Sequence, residues 1–157
     1  MACAMDDIVL RGMAKWPDVP DVYGWLSLDR RGNWRIKGQT IGNAALREFI
    51  GRNYEADERG RWYFQNGPQR VYVSLAYTPL VVHYEGERLV DQCGRPFAPA
   101  GALQNDEGSV LFAGAGTVAL LDDRDLARFA DSPPSADPVR KAEVAARYGF
   151  VADPKPG

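Results

Sequence analysis

Arg61–Thr78 reads RWYFQNGPQRVYVSLAYT, and how this stretch pairs decides the fold. Two runs of β-branched and aromatic residues meet at Asn66-Gly67, a dipeptide that accepts positive φ and so closes a tight hairpin. Five aromatic side chains fall inside it, the densest such block in the chain. Downstream the pattern predicts further short strands at Leu80 to Tyr84, Arg88 to Val90, Ser109 to Ala113 and Thr117 to Leu121. Their connections, at Thr78-Pro79, Glu85-Gly86 and Gly114-Ala115-Gly116, are short. Short links join antiparallel neighbours, whereas parallel pairing needs long crossovers.

Upstream, Val22 to Lys37 predicts a second hairpin through Asp29-Arg30-Arg31-Gly32. Asp29 suits the first position of a type I turn, and Gly32 suits the left-handed position of a G1 bulge. The pattern Asp/Asn-x-x-Gly returns at Asp57 to Gly60, Asp91 to Gly94 and Asn105 to Gly108. A calcium loop needs several oxygen ligands close together, and each of these loops offers one or two carboxylates with arginine interleaved, which points to turn chemistry.

Helices are expected at 6 to 15, with Ile8, Val9, Met13 and Trp16 on one face, and at 43 to 54. The second is capped by Thr40 or Asn43 and turns Leu46, Phe49, Ile50 and Tyr54 inward. Asp122 or Asp123 caps a short third helix with Leu126 and Phe129 inward. Past Asp131 the composition changes to a linker-like DSPPSADP, followed by a small helix starting at Asp137-Pro138 and ended by Gly149. The expected architecture is therefore α+β. A single domain over residues 1–131 carries one mainly antiparallel, strongly curved sheet with two or three short helices packed on it, and residues 132–157 form a peripheral or mobile appendage docked through Tyr148 and Phe150.

The 157 residues carry a net charge of −2 and a pI of about 5.4, so no overall positive field draws nucleic acid or an anionic membrane. No run of about 18 apolar residues is present. The N-terminus lacks a basic segment leading into an apolar one, so a cytoplasmic address is expected. One histidine and two distant cysteines, Cys3 and Cys93, do not make a zinc site of the usual spacing. No metal or other cofactor is implied.

His83 is the one side chain with an unperturbed pKa near neutrality, and a small enzyme could use it if the fold supplied a carboxylate. Gly114 to Gly116 is followed by a strand rather than by the helix a phosphate loop requires. Asp122, Asp123 and Asp125 are explained by helix capping. Arginine and aromatic residues interleave at Arg61 to Phe64, as on sheets that stack single-stranded nucleic acid, but alternation divides Trp62 and Phe64 from Arg61 and Tyr63. Gln65, Gln69 and Arg70 are not needed to make the hairpin turn, and Arg70 offers planar donors for a carboxylate, either Asp29 or Asp57 of this chain or one on a partner. Together with Trp25 and Trp34 they are the residues a recognition surface would use. The reading is a non-enzymatic protein-interaction or small-ligand-binding module. A protein partner or self-association is open to it, nucleic acid and membrane are disfavoured, and no catalytic residue is assigned.

Four segments, Met13-Ala14-Lys15-Trp16-Pro17, Tyr23-Gly24-Trp25-Leu26 with Asp29 and Gly32, Phe49 to Tyr54, and above all Trp62 to Val73, resemble a family of small proteobacterial proteins of unknown function. The resemblance spans residues 5 to 125. It implies a bacterial source and a cytoplasmic address, and brings no reaction, ligand or catalytic residue with it.

Overall fold

The computed structural model describes residues 17–156. The helix expected at 6 to 15 lies outside them. The elements are β1 (Asp21–Leu28), β2 (Trp34–Ile36), β3 (Gln39–Thr40), α1 (Ala44–Arg52), β4 (Tyr54–Ala56), β5 (Trp62–Asn66), β6 (Gln69–Leu75), β7 (Leu80–Glu85) and β8 (Arg88–Asp91). They continue as β9 (Pro96–Phe97), β10 (Gly101–Asn105), β11 (Val110–Gly114), β12 (Thr117–Leu121), α2 (Leu126–Asp131), β13 (Ala136–Val139) and α3 (Val144–Tyr148).

The single strongly curved sheet is replaced by two mixed, mostly antiparallel sheets, neither closed nor curled. Strand order is β3-β2-β1-β6-β5-β4 in the first and β13-β10-β11-β12-β7-β8-β9 in the second. The α+β class stands. The difference arises at Ala76 to Pro79. This link does not turn β6 back onto β7 but carries the chain from one sheet to the other. Buried Thr78 makes the passage possible, because its hydroxyl donates to Leu80 O (2.6 Å) and accepts from Leu120 N (3.1 Å), standing in for a missing strand neighbour. The parallel pairs β1–β6, β7–β12 and β10–β13 all join strands distant in sequence.

The two sheets repeat one plan. Strands β1 to β6 form two three-stranded antiparallel meanders, with the last strand lying parallel beside the first. Strands β7 to β12 do the same.

The four Asp/Asn-x-x-Gly segments form one turn four times. In each, the Asp or Asn side chain accepts from the N–H groups two and four residues ahead, at 2.8–3.0 Å. The glycine N–H closes onto the first residue's carbonyl, and the glycine φ lies between 80° and 84°. The side chain satisfies N–H groups that the bulge removes from the ladder, so the sequence repeat is a repeat of backbone geometry.

Inward residues of both sheets form one core, including Leu26, Phe64, Val71 and Val73 from the first sheet and Val82, Leu111 and Leu121 from the second. Asn43 caps α1 by accepting from Leu46 N (3.0 Å), and Leu46 and Ile50 are buried beneath the helix. Asp122 caps a 3₁₀ turn leading into α2, which buries Phe129. Asp137-Pro138 does not start a helix but lies in β13, which extends the second sheet alongside β10. The last helix is α3, ended by Gly149 in the left-handed conformation. Val144 and Phe150 enter the core, while Val151 N donates to Gly60 O (2.9 Å) and Leu75 N donates to Ala152 O (2.7 Å). Among the described residues no helix is long and apolar enough to cross a membrane, which says nothing of a β-barrel.

Candidate functional site

The turn between β1 and β2 meets the turn between β8 and β9 where the two sheets join. A Cβ on Gly32 would lie 3.1 Å from Gln92 Cβ, and one on Gly51 of α1 would lie 3.2 Å from Cys93 Cα. These close approaches leave a cleft on either side. One side, of about 300 Å³, is walled by Gly32, Asn33 and Trp34, by Ala44, Arg47 and Glu48 of α1, and by Gln92 to Gly94. The other, of about 320 Å³, shares Gly32, Gln92 and Gly94 and adds Arg31, His83, Asp91, Asp122 and Arg124.

The two sides differ in electrostatics. On the second, every ionisable side chain already has a partner. Arg31 Nε lies 2.9 Å from Asp123, Arg124 lies 2.6 Å from Asp122, Arg95 lies 3.6 Å from Asp91, and His83 Nε2 lies 2.9 Å from Glu85 Oε2. Burial pushes the Asp122 carboxyl upward, but the hydrogen bonds and charge of Arg124 outweigh it and hold the group below the usual carboxylate range. Arg31 is held above its ordinary value by its hydrogen bond to Asp123.

On the first side, Trp34 is 1% exposed and its indole Nε1 is buried with no hydrogen-bond partner. Its ring meets Tyr54 edge-on, with centroids 4.9 Å apart. Tyr54 donates to Pro79 O (2.7 Å), and burial pushes its hydroxyl pKa well above the ordinary value. Burial likewise pushes the Cys93 thiol up to about 11, so it stands neutral in the wall. A buried N–H without a partner is rare enough in folded proteins to call for an explanation, such as a bound acceptor.

The structure scatters the residues singled out from sequence. Trp34 lines the cleft. Trp25 is half-buried with Lys37 Nζ 5.2 Å from its ring. Gln65 Nε2 donates to Gly67 O (2.6 Å) and Gln69 O (3.2 Å), so it braces the hairpin turn. Gln69 Nε2 donates to Pro17 O (2.5 Å) and Val19 O (2.6 Å), tying the approach to β1. Arg70 lies 4.3 Å over the Tyr63 ring and has no carboxylate partner among the described residues. The two carboxylates expected for it are engaged elsewhere, Asp57 with Arg61 (2.8 Å) and Asp29 with its own turn.

Arg70 belongs to a row on the outward face of the first sheet. There Tyr63 and Tyr72 are opposed, Tyr23 stacks on Tyr72 at 4.8 Å, and Arg61 lies 4.6 Å over Tyr72. The ring faces that would stack nucleobases are thus occupied, while Phe64 is in the core and Trp62 packs against it.

Arg47 and Gln92 went unnoticed in the sequence because this side of the cleft draws on three separate segments, and Cys93 was weighed there for metal binding, not as part of a cleft. The one signal that touched this wall was the repeated turn motif, whose first and third copies supply Gly32 and Gln92 to Gly94. Among the described residues no group of three or more His, Cys, Asp or Glu is placed to hold a metal ion.

Comparison with known proteins finds likeness of sequence and of fold. A family model described as "Protein of unknown function (DUF2946)" matches residues 5–137. No curated protein matches significantly. The structure is similar to the crystal structure of a DUF1285 family protein from Silicibacter pomeroyi, with a TM-score of 0.55 and 17% identity, covering 85% of this chain and 88% of that one. It is also similar to a DUF1285 family protein from Shewanella baltica, with a TM-score of 0.52 and 14% identity over 68% of this chain and 90% of that one. At such identities the likeness is one of fold.

Proposed function

The chain belongs to this family of unknown function, and with no activity to inherit we propose that it is a small-ligand-binding protein whose site is the cleft beside Trp34. One observation carries the reading: Trp34, whose buried indole N–H lacks an acceptor, is among the residues that line a cavity of about 300 Å³. A buried donor left unmade costs about 1–3 kcal/mol. A ligand accepts from it, and recovers that cost, once the wall shifts enough to uncover the N–H. The position agrees with the general preference of small-molecule sites for junctions between structural units.

The test is a thermal-shift screen of small polar metabolites against wild type and Trp34→Phe. A subset should raise the melting temperature of wild type and leave that of the variant unmoved. A library that stabilises neither protein, or both alike, refutes the reading.

A second reading has one observation in its favour. His83 reaches the adjoining side of the cleft with Glu85 in hydrogen-bonding range, the geometry of a general base held by a carboxylate. Both groups are solvent-exposed and neighbours on one strand, which is also how a surface pair looks. Turnover of generic ester or phosphoester substrates that disappears in His83→Asn would favour it. Equal turnover by variant and wild type would remove it.

A further inference from the structure

We infer that a second, separate site takes the zwitterion of a small apolar amino acid, in the cavity between the C-terminal segment and the link that joins the two sheets. This cavity has about 410 Å³, within the range of roughly 300–1,000 Å³ of small-molecule sites. It shares no lining residue with the cleft beside Trp34.

Most of the lining is apolar. Ala142, Ala145, Phe150 and Ala152 of the C-terminal segment form it together with Ala76 and Tyr77 of the link. Alanine at four of these six positions leaves open the space that larger side chains would fill. The walls are also fixed before any ligand arrives. Leu75 N of the first sheet donates to Ala152 O (2.7 Å), β13 pairs with β10 of the second sheet, and Phe150 is buried in the core.

Two residues of opposite charge complete the lining, Asp106 from the fourth repeated turn and Lys141. Lys141 N donates to Asp106 Oδ1 (2.8 Å), which sets the two side by side. That donor is a neutral N–H, and Asp106 makes no ion pair with the described residues. The same N–H holds the Asp106 carboxyl below the usual carboxylate range, so it is anionic at neutral pH. Neighbouring Glu107, by contrast, lies 3.7 Å from Arg30 and 3.3 Å from Lys141 Nζ. The Lys141–Glu107 contact is solvent-exposed, and such pairs are weak, so Lys141 can take a ligand carboxylate without giving up a strong partner.

Charge selects the occupant. A purely cationic ligand would meet a like charge at Lys141, and a purely anionic one at Asp106. A zwitterion meets both residues with the right sign, its ammonium at Asp106 and its carboxylate at Lys141. An α-amino acid carries those two groups on one carbon, as adjacent residues require, and its apolar side chain covers the alanines.

The experiment is isothermal titration calorimetry of the full chain with L-leucine, L-phenylalanine and glycine. Isocaproate and isoamylamine, which lack leucine's ammonium and carboxylate respectively, complete the set. At least one apolar amino acid should bind wild type. Glycine, the acid and the amine should each bind about tenfold or more weaker, having lost apolar burial or a charge-assisted bond. Asp106→Asn keeps an acceptor for Lys141 N, so it should leave the melting temperature in place, weaken the amino acid about tenfold or more, and not weaken isocaproate. Lys141→Gln should weaken the amino acid and not isoamylamine. Ala145→Leu narrows the cavity and should weaken the amino acid by a similar factor. Binding of neither amino acid, acid or amine alone binding as tightly as the amino acid, or an unchanged affinity in Asp106→Asn or in Ala145→Leu overturns the inference. The cleft beside Trp34 stands or falls separately, on the metabolite screen.

Discussion

Replacing the glycine of each repeated turn by alanine turns the internal repeat into a graded measurement. Gly32, Gly60, Gly94 and Gly108 share φ values of 80° to 84°, so alanine meets the same left-handed strain at each, about 1–2 kcal/mol. Their surroundings differ. A Cβ on Gly94 or Gly108 meets nothing within 4 Å, so strain is the whole cost there. On Gly32 it presses on Gln92 Cβ at 3.1 Å, which raises the total to about 2–3 kcal/mol.

On Gly60 the Cβ collides with the carbonyl oxygen of Gly149 and comes within 3.1 Å of Phe150 Cα, both of them backbone atoms. The C-terminal segment must then move. That forfeits the Val151 N–Gly60 O bond, about 1 kcal/mol, and part or all of the burial of Phe150, about 1.5–3 kcal/mol. A total of about 4–6 kcal/mol follows if the segment comes away. Urea unfolding followed by tryptophan fluorescence gives the four values directly. Heating should show Gly60→Ala lowest, at about 2–4 °C per kcal/mol for a chain of this size. Equal costs at all four sites would refute the docking of residues 149–151 on the second turn. Negligible cost at Gly94 and Gly108 would refute the turn itself.

Three further outcomes follow from named contacts. The Asp57 carboxyl is pushed up by burial but pulled further down by the N–H and guanidinium of Arg61 and the N–H of Arg59, so its folded pKa lies below its unfolded one. It therefore stabilises the fold above the unfolded value near pH 4, and this contribution is lost as pH falls through the folded pKa. Asp57→Asn should lower stability at pH 7 and flatten the acid limb of a stability–pH curve, and an unchanged limb would contradict the assignment. Cys93, with its thiol pushed up to about 11, should react with a thiol reagent at pH 8 far more slowly in the folded protein than in urea, and equal rates would contradict its burial. Arg70→Ala removes a cation–π contact with Tyr63 worth about 0.5–1 kcal/mol, and a loss of several kcal/mol would reveal an ion pair that the geometry excludes.

Local chemistry was legible in the sequence wherever a turn or cap is decided by its own residues. Asp29-x-x-Gly32 and its three relatives, the Asn66-Gly67 hairpin, the Asn43 cap and the Gly149 stop all depend on side chains within four residues of the backbone they serve. The division into two sheets was not legible, because Ala76 to Pro79 is as short as a hairpin link. Its role is set by Leu120, whose N–H meets Thr78 across the chain. The parallel pairs were hidden for the same reason, each depending on partners far apart in sequence.

Arg70 was matched to a carboxylate by charge alone, yet Arg61 reached Asp57 first, four residues away. Trp34 stood out as a large aromatic, but its place beside a cavity depends on α1 and the third turn closing around it.

The most direct test of a ligand cleft is the Trp34 indole resonance in a two-dimensional ¹H–¹⁵N spectrum, assigned through Trp34→Phe and followed while the metabolite library is added. The account predicts a downfield shift of the Trp34 indole proton as it gains an acceptor, with the Trp62 indole unmoved. A Trp34 signal that stays in place while compounds bind elsewhere, or through the whole series, would contradict it.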